Sequence, residues 1–150
     1  MERTIRKHAY ILKMKRILIM GLPGSGKTTL AHELTSLLSP NCLWINADEI
    51  RELYNDWDFS LEGRIRQSIR MRELADASEK EYVICDFVAP LVEMRNNFNA
   101  DYTIWVDTIT EGRYKDTNKL FVSPEKYDIR VTEQDSEKWG LIINNLLNYR

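Results

Sequence analysis

Eight consecutive residues, Gly21-Leu22-Pro23-Gly24-Ser25-Gly26-Lys27-Thr28, narrow the folds open to this chain more than any other stretch. They fit the pattern G-x-x-x-x-G-K-[ST], in which each residue type answers a chemical need. Glycines let successive backbone N–H groups turn inward around an anion. A helix starting just after the loop aims its positive end at the same anion. Lys27 then reaches the β- and γ-phosphates, and the Thr28 hydroxyl ligates Mg²⁺. At ordinary residue frequencies the four fixed positions arise by chance in roughly one chain of this length in a few hundred. The flanking sequence lowers that further. Ile17–Met20 is an apolar run stopped by glycine, the pattern of a buried parallel strand. Leu30, Ala31, Leu34, Leu37 and Leu38 fall on one face of a helix over 28–38. The loop therefore implies bound Mg-ATP and a strand–loop–helix unit.

The rest of the chain repeats that alternation. Leu43-Trp44-Ile45 reads as a second strand, followed by Asn46-Ala47-Asp48 and a short helix through Tyr54. Asn55–Ser60 is a loop with two aromatics, and Ser60 is placed to cap a helix over 61–78 with Leu61, Ile65 and Ile69 on its inner face. Tyr82–Cys85 and Tyr102–Val106 read as strands ending at Asp86 and Asp107, with a turn or two of helix at Pro90–Asn97 between them. Tyr127–Val131 reads as a weaker fifth strand. Ser136–Leu147 closes the chain as a helix with Trp139, Ile142, Ile143, Leu146 and Leu147 on one side. Strands alternating with helices predict a three-layer αβα fold with a five-stranded parallel sheet, and the loop at 21–28 makes it a P-loop fold. Ligands of such sheets sit at the carboxyl ends of the strands, so Gly21, Asp48, Asp86 and Asp107 should gather on one edge.

The 150 residues suit one core, and the sequence divides into a basic, loosely held arm at 1–13 and one domain at 14–150. A net charge of −2 argues against general nucleic-acid or membrane affinity and leaves room only for a local basic patch. Cys42 and Cys85 lie in apolar runs, as buried reduced thiols of a cytoplasmic protein would. No apolar run reaches membrane-spanning length, and the N-terminus lacks the apolar segment of a signal peptide. His8 and His32 have no partner spacing that would suggest zinc. A guanine-nucleotide switch is disfavoured, because Asp107-Thr108-Ile109-Thr110 lacks the glycine and Asn118-Lys119-Leu120-Phe121 the aspartate that such proteins use.

Beyond the loop the chain resembles the adenylylsulfate (APS) kinases, from about Arg16 to Val131. Gly21–Thr29 reads GLPGSGKTT against the family's G-L-S-G-[AS]-G-K-[ST]-T. Asn46-Ala47-Asp48-Glu49-Ile50-Arg51 stands where the family has D-G-D-N-[IV]-R. Asp58-Phe59-Ser60, Arg64 and Gln67 follow its G-F-S, arginine and asparagine. Asp86-Phe87-Val88-Ala89-Pro90 follows S-F-I-S-P, Val106-Asp107-Thr108 follows V-D-T, and Lys119 falls near the lysine of K-x-F-T-G. The resemblance implies an ATP-dependent kinase acting on an acceptor hydroxyl, the 3′-OH of adenylylsulfate first among candidates. It implies Lys27 and Asp48 as catalytic residues, and Gly21, Gly24, Ser25, Gly26, Lys27, Thr28 and Thr29 around ATP. Thr28 and Asp48 would face Mg²⁺, and Arg51, Phe59, Arg64, Gln67, Val88 and Lys119 the acceptor, while Asp86, a departure from the family, puts a carboxylate at a strand end beside the loop where it would hold Mg²⁺ through water.

Departures leave alternatives open. Asn46 and Ala89 replace an aspartate and a serine, Asp86 replaces the leading serine of S-F-I-S-P, and the basic K-x-A-R lid is largely missing between Gly112 and Thr117. The acceptor could be another nucleotide or a hydroxymethylated pyrimidine in DNA, or the chain could be an ATP-binding regulatory module with little catalysis. The partners implied are a small-molecule nucleotide acceptor, no membrane, and a second copy in a homodimer. Plainer readings also exist: Arg64, Arg66, Arg70 and Arg72 as a solvated face, Phe59 as core, Trp57 as packing, Asp107 as a cap.

Overall fold

The computed structural model describes residues 14–149, so the expected arm at 1–13 lies outside the described residues. Its centre is β1 (Lys15–Met20), in which Ile17, Leu18, Ile19 and Met20 are all completely buried. Only a strand covered on both faces needs an unbroken apolar run, and β1 lies in the middle of a five-stranded sheet of order β2-β3-β1-β4-β5. The other strands are β2 (Cys42–Asn46), β3 (Tyr82–Asp86), β4 (Tyr102–Val106) and β5 (Ile129–Val131), and every pairing is parallel.

Side chains alternate across β1 and so build two cores. Ile17 and Ile19 pack with Leu30, Ala31 and Leu34 of α1 (Lys27–Leu38) and with Ile143 and Leu147 of α6 (Ser136–Asn148). Leu18 and Met20 face the other way, toward Met71 and Ala75 of α3 (Leu61–Asp76) and Phe98 of α4 (Val92–Phe98). Two short helices, α2 (Ala47–Tyr54) and α5 (Lys115–Leu120), complete the three-layer αβα fold. Among the described residues no helix is long and apolar enough to cross a membrane. Cys42 and Cys85 are free, and burial pushes both thiols up, Cys42 to about 11.

Three expectations about faces need correction. The inner face of α3 is Gly63, Gln67, Ser68, Met71 and Ala75, while Leu61 and Ile69 are exposed. Small residues let this helix lie close to its neighbours: a Cβ on Gly63 would stand 2.1 Å from the Asp58 carbonyl oxygen. Leu37 and Ile142 are likewise exposed. The α1–α6 contact instead runs through Gly140, whose missing Cβ leaves room for Glu33 and Leu37. Strand β5 starts at Ile129, just after Asp128, whose backbone N–H donates to Thr103 O at 2.9 Å and whose side chain accepts the Thr103 N–H at 2.8 Å. Helix α5, built from Lys115-Asp116-Thr117-Asn118-Lys119-Leu120, has no counterpart in the sequence reading, since Asp, Thr and Asn are weak helix formers.

Candidate active site

The phosphate loop leaves β1 at Gly21. A side chain there would place Cβ 2.4 Å from the Val106 carbonyl oxygen, so only glycine fits. Gly26 enters α1 at φ 105°, a left-handed turn that glycine takes without strain. The loop carbonyls are tied from outside. The Thr108 hydroxyl donates to Ser25 O at 2.6 Å, and the Gln134 amide donates to Gly24 O and Ser25 O at 3.2 Å each. Holding the carbonyls from behind favours a cradle of N–H groups in front. Lys27 Nζ donates to Leu22 O at 3.0 Å. Burial lowers its pKa to about 8 against the pull of Asp86 and Asp48, and the charge of Arg113 pushes the same way as burial. Ser25 Oγ is buried and has no hydrogen-bond partner among the described residues. A cavity of about 180 Å³ flanks the first turn of α1, lined by Gly26, Thr29, Leu30, Gln134 and Trp139 among others.

Beside the loop, β3 ends in Asp86, which is 2% exposed. Its carboxylate accepts from Thr28 Oγ1 at 3.2 Å, Trp44 Nε1 at 2.7 Å and Asn46 Nδ2 at 3.1–3.2 Å. Burial pushes the Asp86 pKa up, while these donors and Lys27 pull it down. Asp48 sits exposed on the first turn of α2, near enough to act on the charges of Lys27 and Arg51. Thr28, Asp48 and Asp86 offer hard oxygen donors suited to Mg²⁺. Among the described residues no three His, Cys, Asp or Glu side chains gather into a metal cluster.

Across the crevice lie the other expected residues. Arg51 is 5% exposed, donates to the carbonyls of Asp56 and Asp58 at 3.0 and 3.2 Å, and stacks 4.3 Å from the Phe59 ring. Arg64 donates to Phe59 O at 2.9 Å and to the Thr117 hydroxyl of α5 at 3.1 Å, with its guanidinium 5.5 Å from the same ring. Phe59 is 51% exposed, so it is not a core residue, and Trp57 beside it is equally open. Gln67 is 3% exposed: its amide donates to Ala47 O and accepts from Arg70, which makes it a brace for the start of α2. Arg66 and Arg70 hold Asp56, and Arg72 bonds Asn97 O and pairs with Asp76; the Arg66 and Arg72 side chains stay in solvent, 46% and 41% exposed, while Arg70 at 15% departs from the solvated-face reading. Val88 is half-buried, followed by Ala89 at φ 47°, and Lys119 is exposed on the last turn of α5. Asp107 is no helix cap: it pairs with Arg130.

Lys27, Thr28, Asp48 and Asp86 thus form one group and Arg51, Phe59 and Arg64 another, while Lys119 joins neither through a hydrogen bond or ion pair. Trp44, Thr108, Thr117 and Gln134 were not singled out from sequence. A tryptophan in a half-buried strand needs an acceptor for its N–H, but the parallel pairing that supplies Asp86 is not visible in one strand.

A comparison of the sequence with curated proteins finds no match. Solved structures are similar in fold. The Mycobacterium tuberculosis APS kinase CysC, in complex with AMPPNP and APS, has a TM-score of 0.76 at 18% identity, covering 91% of this chain and 98% of that one. Acinetobacter baumannii shikimate kinase, in complex with shikimate, has a TM-score of 0.63 at 17% identity over 93% and 96%. A hexameric APS kinase from Thiobacillus denitrificans has a TM-score of 0.72 at 19% identity, covering 97% of this chain and 31% of that one. The family model for adenylylsulphate kinase matches residues 13–127, well over half of the sequence. With the loop, the sheet order and that match in agreement, the chain belongs to the adenylylsulphate kinase family of P-loop kinases.

Proposed function

We propose that this protein transfers the γ-phosphoryl group of ATP to a hydroxyl of a small nucleotide acceptor, with the 3′-OH of adenylylsulfate the first candidate. The observation that carries this reading is the juxtaposition of Lys27, Thr28 and Asp86 on one side of the crevice with an open Phe59 between two guanidiniums on the other. Lys27 leaves Leu22 O and holds the phosphates that pass charge to the leaving group. Thr28 and Asp86 would hold the Mg²⁺, which would supply positive charge against the negative charge of the phosphates. Asp48 orients the acceptor hydroxyl and takes its proton. Phe59 stacks on the acceptor base, and Arg51 and Arg64 lend positive charge to its anionic group. The cavity beside Thr29 and Trp139 takes the base of the donor. Family membership supports the same chemistry.

A second reading keeps the donor and changes the acceptor. It is favoured by the arginines, each of which already gives part of its donors to loop carbonyls or Thr117. Labelled ATP offered with adenylylsulfate, other nucleotides and DNA carrying hydroxymethylated pyrimidines separates these readings. Label on adenylylsulfate alone supports the first. Label on another acceptor replaces it with the second, and label in inorganic phosphate only would contradict both.

A further inference from the structure

The ends of β2 and β3 carry an arrangement that a phosphate loop does not by itself require. Asn46 and Asp86 are register partners on neighbouring strands. The Asn46 amide is locked in one orientation, because its oxygen accepts the Glu49 N–H at 3.0 Å as the cap of α2. Its nitrogen must therefore face Asp86, and it donates to both carboxylate oxygens. Trp44 adds the shortest of these bonds at 2.7 Å, and its indole is steadied by the edge of His32 at 6.0 Å and by the core beneath. An aspartate at 46 could cap α2 equally well, but it would set oxygen against oxygen and charge against charge at Asp86. A serine at 86 would leave the Trp44 and Asn46 donors without a carboxylate. The two departures from the family motifs thus compensate each other, and a carboxylate has moved one strand across the sheet.

We propose that Trp44 and Asn46 are positioning residues that hold the Asp86 carboxylate against the Thr28 hydroxyl, so that Asp86 in place of residue 46 organises the Mg²⁺ of the bound nucleotide. This rests on the kinase reading of the loop. Thr28 has a single hydroxyl proton, and donating it to Asp86 leaves the oxygen lone pairs for the ion. The donors on Asp86 fix the carboxylate, and with it the threonine rotamer.

Calorimetric titration with ADP, once with magnesium chloride and once with EDTA, tests the proposal through the ratio of the two Kd values. Trp44→Phe and Asp86→Ser should each reduce the tightening by magnesium about tenfold or more, and for the charge-neutral Trp44→Phe the Kd in EDTA should stay within about twofold of wild type. Asn46→Asp should also reduce the ratio, and Asn46→Asp combined with Asp86→Ser should recover most of it. Parallel losses in magnesium and in EDTA would mark a structural role alone and overturn the proposal. So would a double variant no better than Asp86→Ser. Failure of the wild-type protein to bind ADP under either condition would overturn the kinase reading itself.

Discussion

Two loops face each other across the crevice and are built on opposite plans. Residues 21–26 are tied by their carbonyls, to Thr108 and Gln134 behind and to Lys27 at the base, which keeps the inner surface for a ligand. Residues 55–60 are tied from within by Arg51, Arg64 and Arg66 and turn their aromatics outward. The first loop is followed by a half-buried lysine bonded to its own backbone at Leu22 O; the second is held by arginines of α2 and α3 engaged with its backbone and acids. On the proposed reading the first loop is the triphosphate cradle and is contiguous in sequence, while the acceptor side is assembled from α2, α3 and α5.

The largest effect that separates the two sides is expected from Lys27→Ala. Loss of one preorganised charge at the transferred group should lower kcat by at least about 100-fold, with circular dichroism unchanged. Activity within tenfold of wild type would remove Lys27 from the mechanism. A matched pair of glycine variants comes next. Gly21→Ala drives a Cβ against Val106 O and should abolish ADP binding, while Gly63→Ala drives one against Asp58 O and should raise the acceptor KM with ADP affinity within about twofold. Each should cost about 1–3 kcal/mol of stability by urea titration. If Gly63→Ala weakens ADP binding as much as Gly21→Ala does, the two loops are not independent. Arg64→Ala removes the link from α3 to α5 and should cost about 1–3 kcal/mol, again raising the acceptor KM ahead of any change in ATP affinity.

The smallest effect concerns protons. The Lys27 pKa is lowered by burial to about 8 from the usual 10.5, so in the empty loop its ammonium is lost as pH rises through 8. Bound phosphates favour the charged form and return the proton. ADP binding should therefore take up almost no proton at pH 7 and nearly one at pH 9, measured by calorimetry in buffers of different ionisation heat. Equal uptake at both pH values would contradict this environment for Lys27.

The same contrast explains what could be read in advance. The loop, β1 and α1 are legible because a contiguous motif and an unbroken apolar run each have one structural solution. The sheet edge that gathers Gly21, Asp48 and Asp86 follows from parallel topology alone. The α3 face was misread because its contacts run through Gly63, Ser68 and Ala75, which no hydrophobic pattern marks. Gln67 looked like a ligand and is a brace, because a buried amide finds Ala47 and Arg70, which are distant or inconspicuous in sequence. Trp44 was passed over because its partner lies on the neighbouring strand.

The central claim is that residues 21–28 hold a nucleoside triphosphate with magnesium. Thermal unfolding with and without Mg-ATP at about 100 times its Kd tests it most directly. Binding to the folded state alone adds about 2.7 kcal/mol, which for a chain of this size raises Tm by about 5–10 °C. The Lys27→Ala variant should show a much smaller rise at the same concentration. An unchanged Tm for the wild-type protein at millimolar Mg-ATP would contradict the account.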